Sequence, residues 1–102
     1  MDCIFCKIIS GEIPCKKVYE DEKTLAFLDI QPKAPGHTVV IPKKHYINIL
    51  DCPKEVLAAV IYTVQRVAKK YTAVNVINNS GAKAGQEVFH LHFHVIPRAS
   101  AN

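Results

Sequence analysis

Phe89-His90-Leu91-His92-Phe93-His94-Val95-Ile96 is the stretch that decides how this chain reads. Apolar and polar residues alternate strictly through it, the pattern of a half-buried strand. Side chains on a strand point to opposite faces in turn. His90, His92 and His94 therefore share one face, and Leu91, Phe93 and Val95 the other. Successive imidazoles on that face start about 7 Å apart, at roughly 3.3 Å per residue. Such a row suits one small anionic group or one metal ion. Three of the chain's five histidines fall here, and imidazole gives a strand little that Thr or Tyr would not. The row is expected to be a site on a rigid strand.

Outward from this strand, expected over Val88 to Ile96, the pattern predicts a compact α+β domain. Ala73 to Ile77 reads as the preceding strand. Before it, Asp51 or Cys52 can cap a helix and Pro53 fits its first turn, where a missing donor costs nothing. Leu57, Val60, Ile61, Val64, Val67, Ala68 and Tyr71 then form one apolar stripe at helical spacing, a long helix laid on the sheet. Lys17 to Glu20 and Thr24 to Ile30 read as a hairpin joined by Asp21-Glu22-Lys23. Gln31-Pro32-Lys33-Ala34-Pro35-Gly36 is a loop, and His37 to Ile41 a third strand ended by Pro42. Residues 3 to 10 carry Ile4, Phe5, Ile8 and Ile9 at the spacing of a short helix, with Gly11 as its stop. About five strands and two helices result, with no repeat or linker to divide residues 1–102.

The chain's 102 residues make one domain, near the size where a partner subunit helps. Its net charge of +4 suits anionic ligands. The Lys and Arg are dispersed and lack interleaved aromatics, which argues against nucleic acid; of the lysine pairs, only Lys43-Lys44 falls near a candidate site. No apolar segment has the length of a membrane span, and the N-terminus does not read as a signal peptide. A soluble, cytoplasmic protein is expected. There the pair Cys3-x-x-Cys6 reads as metal-binding or redox rather than as a disulfide, and Cys15 and Cys52 as isolated thiols.

Two chemistries compete at the histidines. They could hold a catalytic zinc with one position open to water. Alternatively, they could act as nucleophile, acid/base and hydrogen-bond donor on a phosphate. Gly81-Ala82-Lys83-Ala84-Gly85-Gln86-Glu87-Val88 favours the phosphate, because a small, glycine-bearing loop can turn backbone N–H groups toward an anion. A neutral imidazole can attack phosphorus and later yield to water, dividing one transfer into two easier steps.

His90-Leu91-His92-Phe93-His94-Val95-Ile96 resembles the signature of the histidine-triad (HIT) proteins, three histidines interleaved with apolar residues. Cys3-Ile4-Phe5-Cys6-Lys7-Ile8-Ile9, Phe27-Leu28-Asp29-Ile30, Gly36-His37-Thr38-Val39-Val40-Ile41-Pro42-Lys43-Lys44-His45 and Gly85-Gln86-Glu87-Val88-Phe89-His90 are similar to the Hint-like branch, in the same order, over nearly the whole chain. The resemblance implies a five-stranded antiparallel sheet with one short N-terminal helix and one long helix. It implies a hydrolase or transferase of purine nucleoside phosphoramidates or related nucleoside monophosphate conjugates, working through a nucleotidyl-histidine. His92 would be the nucleophile. His94 would contact the α-phosphate and assist proton transfer, and His37 would line the same pocket. Asp29 would receive the ribose hydroxyls, and Asn79, Gly85, Gln86, Glu87 and Val88 would lie on the phosphate side. Ile4, Phe5, Ile8, Phe27 and Ile30 would form the slot for a base such as that of AMP or GMP; without the resemblance these five read as core. Many relatives carry Ser or Thr where this chain has Glu87. A carboxylate repels phosphate, so the backbone N–H of Glu87 is the expected contact.

The resemblance also bears on the cysteines. The resemblance implies a zinc site here as well: some bacterial Hint-like members with an N-terminal CxxC bind zinc through that pair, the His of Pro-Lys-Lys-His and the first triad His, here Cys3, Cys6, His45 and His90. A closed four-ligand site is structural and leaves His92 free of metal. A homodimer is implied as well. Other readings are a nucleotide-binding or protein-interaction module with incidental catalysis, a dinucleoside polyphosphate hydrolase, and a zinc hydrolase with its metal on the triad.

Overall fold

The computed structural model describes residues 3–100. In chain order the elements are α1 (Ile4–Ser10), β1 (Lys17–Glu20), β2 (Thr24–Leu28), β3 (Thr38–Pro42), α2 (Lys54–Ala68), β4 (Tyr71–Ile77) and β5 (Phe93–Ser100), with one 3₁₀ turn at Ala82–Ala84. The strands form a single antiparallel sheet in the order β1-β2-β3-β5-β4. The expected α+β class, five strands and two helices are all present.

Both faces of the sheet centre are covered, which accounts for the unbroken apolar runs in β2 and β3. On one side Val60, Val64 and Val67 of α2 pack on Ala26, Val40, Leu91, Phe93 and Val95. On the other, Phe5 and Ile8 of α1 pack on Leu25, Phe27, Val39 and Ile41. Alternation along each strand sorts its residues between the two cores. Gly11 closes α1 in the left-handed region, φ 87°. Gly36 also has positive φ, +85°, and there an added Cβ would lie 2.6 Å from the Tyr71 hydroxyl, which would have to shift.

The histidine stretch is less regular than its alternation predicts. β5 begins only at Phe93, so His90 and His92 precede it. The β3–β5 ladder ends at the pair Val40↔Phe93, and Pro42, with no N–H, cannot carry it on. Leu91 is held instead by its N–H to the Tyr46 carbonyl, 2.7 Å. The two faces survive this irregularity. What fails is the half-buried expectation, because α1 lies over the histidine face: His90 is 0% and His92 9% exposed.

Other boundaries move for local reasons. β2 stops at Leu28, and Ile30 is 92% exposed rather than core. Asp51 does not cap α2; its carboxylate receives the N–H groups of Ile47 and Asn48, and Pro53 precedes the helix without a side-chain cap. Tyr71 opens β4 instead of closing the helical stripe. Ile61 faces outward, while Thr63 faces in and its hydroxyl meets that of Thr24 at 2.7 Å. Among the described residues, no helix is long and apolar enough to cross a membrane.

Candidate active site

A cleft of about 700 Å³ opens beside β5. Its apolar end is built by Ile4, Phe5 and Ile8 of α1 with Phe27 of β2 and Ile30 beyond it; its polar end by Asp29, His37, His92, His94, Asn79 and the loop Gly85-Gln86-Glu87-Val88. All the residues expected around a nucleotide thus border one space. Phe5, Ile8 and Phe27 are buried, while Ile4 is 46% exposed and Ile30 stands at the rim.

His92 is on the floor of this cleft. Its Nδ1 lies 2.8 Å from the His90 carbonyl, an acceptor, so the ring proton sits on Nδ1. Nε2 is left with a lone pair and no partner among the described residues. Among the described residues no side-chain nitrogen or oxygen is both buried and unpaired, so this lone pair opens on the cleft. Phe5 meets the ring edge-on, centroids 5.1 Å apart. Burial holds His92 below the ordinary imidazole value and so keeps it neutral.

Hydrogen bonds also set the tautomers of the next two rings. The Lys33 N–H donates to His37 Nδ1, 3.1 Å, which leaves the His37 proton on Nε2. That nitrogen donates to His94 Nδ1 at 2.9 Å, and neutral His94 then carries its proton on Nε2. Burial, with His92 and His37 alongside, brings His94 down to about 4. His37 is lowered as well, chiefly by burial. Asp29 Oδ2 lies 3.6 Å from His37 and 3.9 Å from His94, too far for a hydrogen bond, while Oδ1 accepts the Gln31 N–H. The cleft thus offers a nucleophilic nitrogen, an imidazole N–H and a carboxylate.

The loop divides its donors. Gly85 and Gln86 give their N–H groups to Ala82 and Gly81 inside the loop. Those of Glu87 and Val88 make no hydrogen bond among the described residues. The buried Gln86 side chain is a strut: Oε1 accepts from Asn48 and Gly81, and Nε2 donates to the carbonyls of Ile47 and Val88. Lys43 pairs with Glu20 of β1 at 2.7 Å and Lys44 lies over Tyr46; neither borders the cleft.

Sequence reasoning missed Asn78. Its Nδ2 donates to the His92 carbonyl, 2.9 Å, and its Oδ1 accepts from Ser80. Ser80 in turn receives the Ile49 N–H. Nothing in Asn78-Asn79-Ser80 marks which amide faces the histidine strand, so no sequence pattern could have found it.

Behind His92 lies a second cluster. The donor atoms of Cys3, Cys6, His45 and His90 all fall within 4.8 Å of one another. His90 Nε2 donates to the Pro42 carbonyl, 2.8 Å, so its Nδ1 lone pair faces Cys3 Sγ at 3.4 Å and Cys6 Sγ at 3.6 Å. His45 Nδ1 is 3.5 Å from Cys6 Sγ. Two thiols and two imidazoles around one tetrahedral zinc would stand about 3.3–3.8 Å apart, so the residues fit that ion. With His90 aimed at the thiols, the three triad rings do not converge on a common ion, and the triad-zinc arrangement is not formed. Cys15 and Cys52 make no disulfide.

The HIT domain family matches residues 10–101. An uncharacterized HIT-like protein of Methanocaldococcus jannaschii is 55% identical over 101 residues, covering 94% of this chain and 78% of the relative. A protein of Saccharomyces cerevisiae named adenosine 5'-monophosphoramidase is 49% identical over 98 residues, covering 94% of this chain and 62% of its own. Among solved structures, a zinc-bound histidine triad family protein from Mycobacterium smegmatis superposes with a TM-score of 0.93 at 41% identity, covering 100% of this chain and 78% of that one.

Proposed function

Since the chain belongs to the HIT domain family, we propose that it is a nucleotide-binding hydrolase. It splits purine nucleoside phosphoramidates, or related nucleoside monophosphate conjugates, through a nucleotidyl group carried on His92. One observation carries the reading: His92 Nε2 is an unprotonated, unpartnered nitrogen on the floor of a cleft, with its other nitrogen tied to the His90 carbonyl.

The base enters between Ile4, Phe5, Ile8, Phe27 and Ile30, and its ribose hydroxyls meet Asp29. The free N–H groups of Glu87 and Val88, with Asn79 nearby, receive the α-phosphate, a partially charged cradle that needs no reorganisation. His92 Nε2 bonds to phosphorus as the bond from phosphorus to the leaving nitrogen breaks. The leaving nitrogen takes its proton from solvent water and departs as the neutral amine, while the His94 Nε2–H donates a hydrogen bond to a phosphoryl oxygen. Attack turns His92 into a cation, and the His90 carbonyl on Nδ1–H stabilises that charge. Water then adds its hydroxyl to phosphorus, releases its proton to solvent and frees His92. The net change is conjugate plus water to monophosphate plus amine. His37 holds the His94 tautomer throughout.

Zinc in the Cys3, Cys6, His45 and His90 cluster would be structural, pinning α1 to the catalytic stretch through His90. The reading extends to residues 1–102 as one domain, in a cytoplasm that keeps Cys3 and Cys6 reduced. It also includes a homodimer through the outer face of α2, where Leu57, Ile61 and Tyr62 line an open groove, and the free edge of β4. Light scattering at micromolar concentration tests the dimer, and a monomer refutes it. For the activity, His92→Asn should abolish turnover of an adenosine phosphoramidate while AMP binding persists. Undiminished turnover dismisses the reading.

A further inference from the structure

The reaction scheme leaves two charged side chains of the cleft unused, Lys33 and Glu87. Glu87 borders the cleft and is exposed, and its carboxylate has no hydrogen bond or ion pair among the described residues. Asp29 is unlike it, engaged by the Gln31 N–H and set beside two imidazoles. Lys33 borders the cleft too, its backbone N–H bonded to His37, but no ion pair joins its ammonium to Glu87 among the described residues.

In-line displacement fixes where the leaving group must lie. His92 is buried on the floor, and the group it expels departs from the far side of phosphorus, toward the mouth. Glu87 is exposed at that mouth, and its own N–H is one of the two free donors for the phosphate. Its side chain therefore projects from the residue that grips the phosphoryl group, beside the path of whatever leaves it. The carboxylate adds charge repulsion to any anionic leaving group and attraction to any cationic one.

We propose that Glu87 is a specificity-determining residue, selecting nucleotide conjugates whose leaving group carries positive charge. This deepens the nucleotide-conjugate reading and rests on it. Amines bearing a second, ammonium group fit the mouth; carboxylate-bearing or polyphosphate leaving groups are disfavoured, which sets the chain apart from a dinucleoside polyphosphate hydrolase. At a separation of about 6 Å in a largely aqueous mouth, one unit charge changes the preference by about three- to tenfold.

The test uses three adenosine phosphoramidates whose leaving amines have equal length and end in trimethylammonium, a neutral branched alkyl group or a carboxylate. The wild-type protein should show kcat/KM falling in that order, about three- to tenfold per step, with the spread narrowing in high salt. Glu87→Gln, which keeps the backbone donor, should flatten the series, and Glu87→Lys should invert it. Affinities of the same compounds for His92→Asn, with and without Glu87→Gln, provide a readout independent of turnover. Equal ranking by wild type and Glu87→Gln in both measurements overturns the proposal. A charge series in binding that Glu87→Gln abolishes, with no turnover by the wild type, upholds the selection and sinks the hydrolase. Failure of all three to bind overturns both.

Discussion

The Asn78 side-chain amide donates to the backbone carbonyl of His92 at 2.9 Å, just where the β4–β5 ladder has run out. The last backbone pair is Ile77↔His94, and one residue later the chain turns away. A side chain thus takes over from the main chain and sets the position of His92 on the cleft floor. Asn78→Ala removes that bond, worth about 1 kcal/mol. It should lower kcat by about fivefold to tenfold with KM little changed, because the base slot and the loop donors are untouched. A rise in KM at constant kcat would place Asn78 in binding instead.

Metal analysis separates a zinc site from four neutral side chains in contact. The purified protein should carry one zinc per chain, and Cys6→Ser should carry none. An ion held there would tie α1 to His90, so its loss should lower the melting temperature. Cobalt substitution should give thiolate-to-metal absorption that His45→Ala weakens. A wild-type protein without zinc that neither gains stability nor changes spectrum on metal addition contradicts the assignment.

Acid should weaken the fold through the imidazoles that burial keeps neutral. His94 titrates at about 4 in the folded protein, against the ordinary 6.5; His37 and His92 are lowered as well. Below the ordinary value the unfolded chain binds more protons than the folded one, so stability falls as pH falls. The contribution is complete above about 6.5 and is lost as pH drops through about 4. Denaturant midpoints should decline across that window, with a shallower slope in His94→Asn. Midpoints that rise in acid would contradict these environments.

Leu91 tests the packing beneath the site. It is 0% exposed, sits between His90 and His92, and packs in the core beneath α2. Leu91→Ala should cost about 2–5 kcal/mol of unfolding free energy, measured by denaturant titration. A loss well under about 1 kcal/mol would mean that the stretch is not anchored from below.

Much of this was legible because alternation is a local property. His90, His92 and His94 do share a face, and both helices stand where the apolar spacing put them. Burial was not legible there: nothing within Phe89 to Ile96 tells that α1 folds over the histidines, a contact between residues more than eighty positions apart, as Cys3 and His90 are. The same limit hid the end of the β3–β5 ladder at Val40↔Phe93, the outward turn of Ile61 and the inward turn of Thr63, whose hydroxyl meets that of Thr24. Polar struts were hardest. Gln86 was expected on the phosphate side, and only the folded chain shows the backbone groups that it, Asn78 and Asn48 hold.

The central claim is a transient bond between His92 and phosphorus, and mass spectrometry of the acid-free, rapidly quenched protein tests it most directly. With an adenosine phosphoramidate as substrate, the peptide containing His92 should carry one adenylyl group during turnover, and His92→Asn should carry none. Consumption of substrate by a preparation whose His92 peptide stays unmodified, or modification at another residue, would contradict the account.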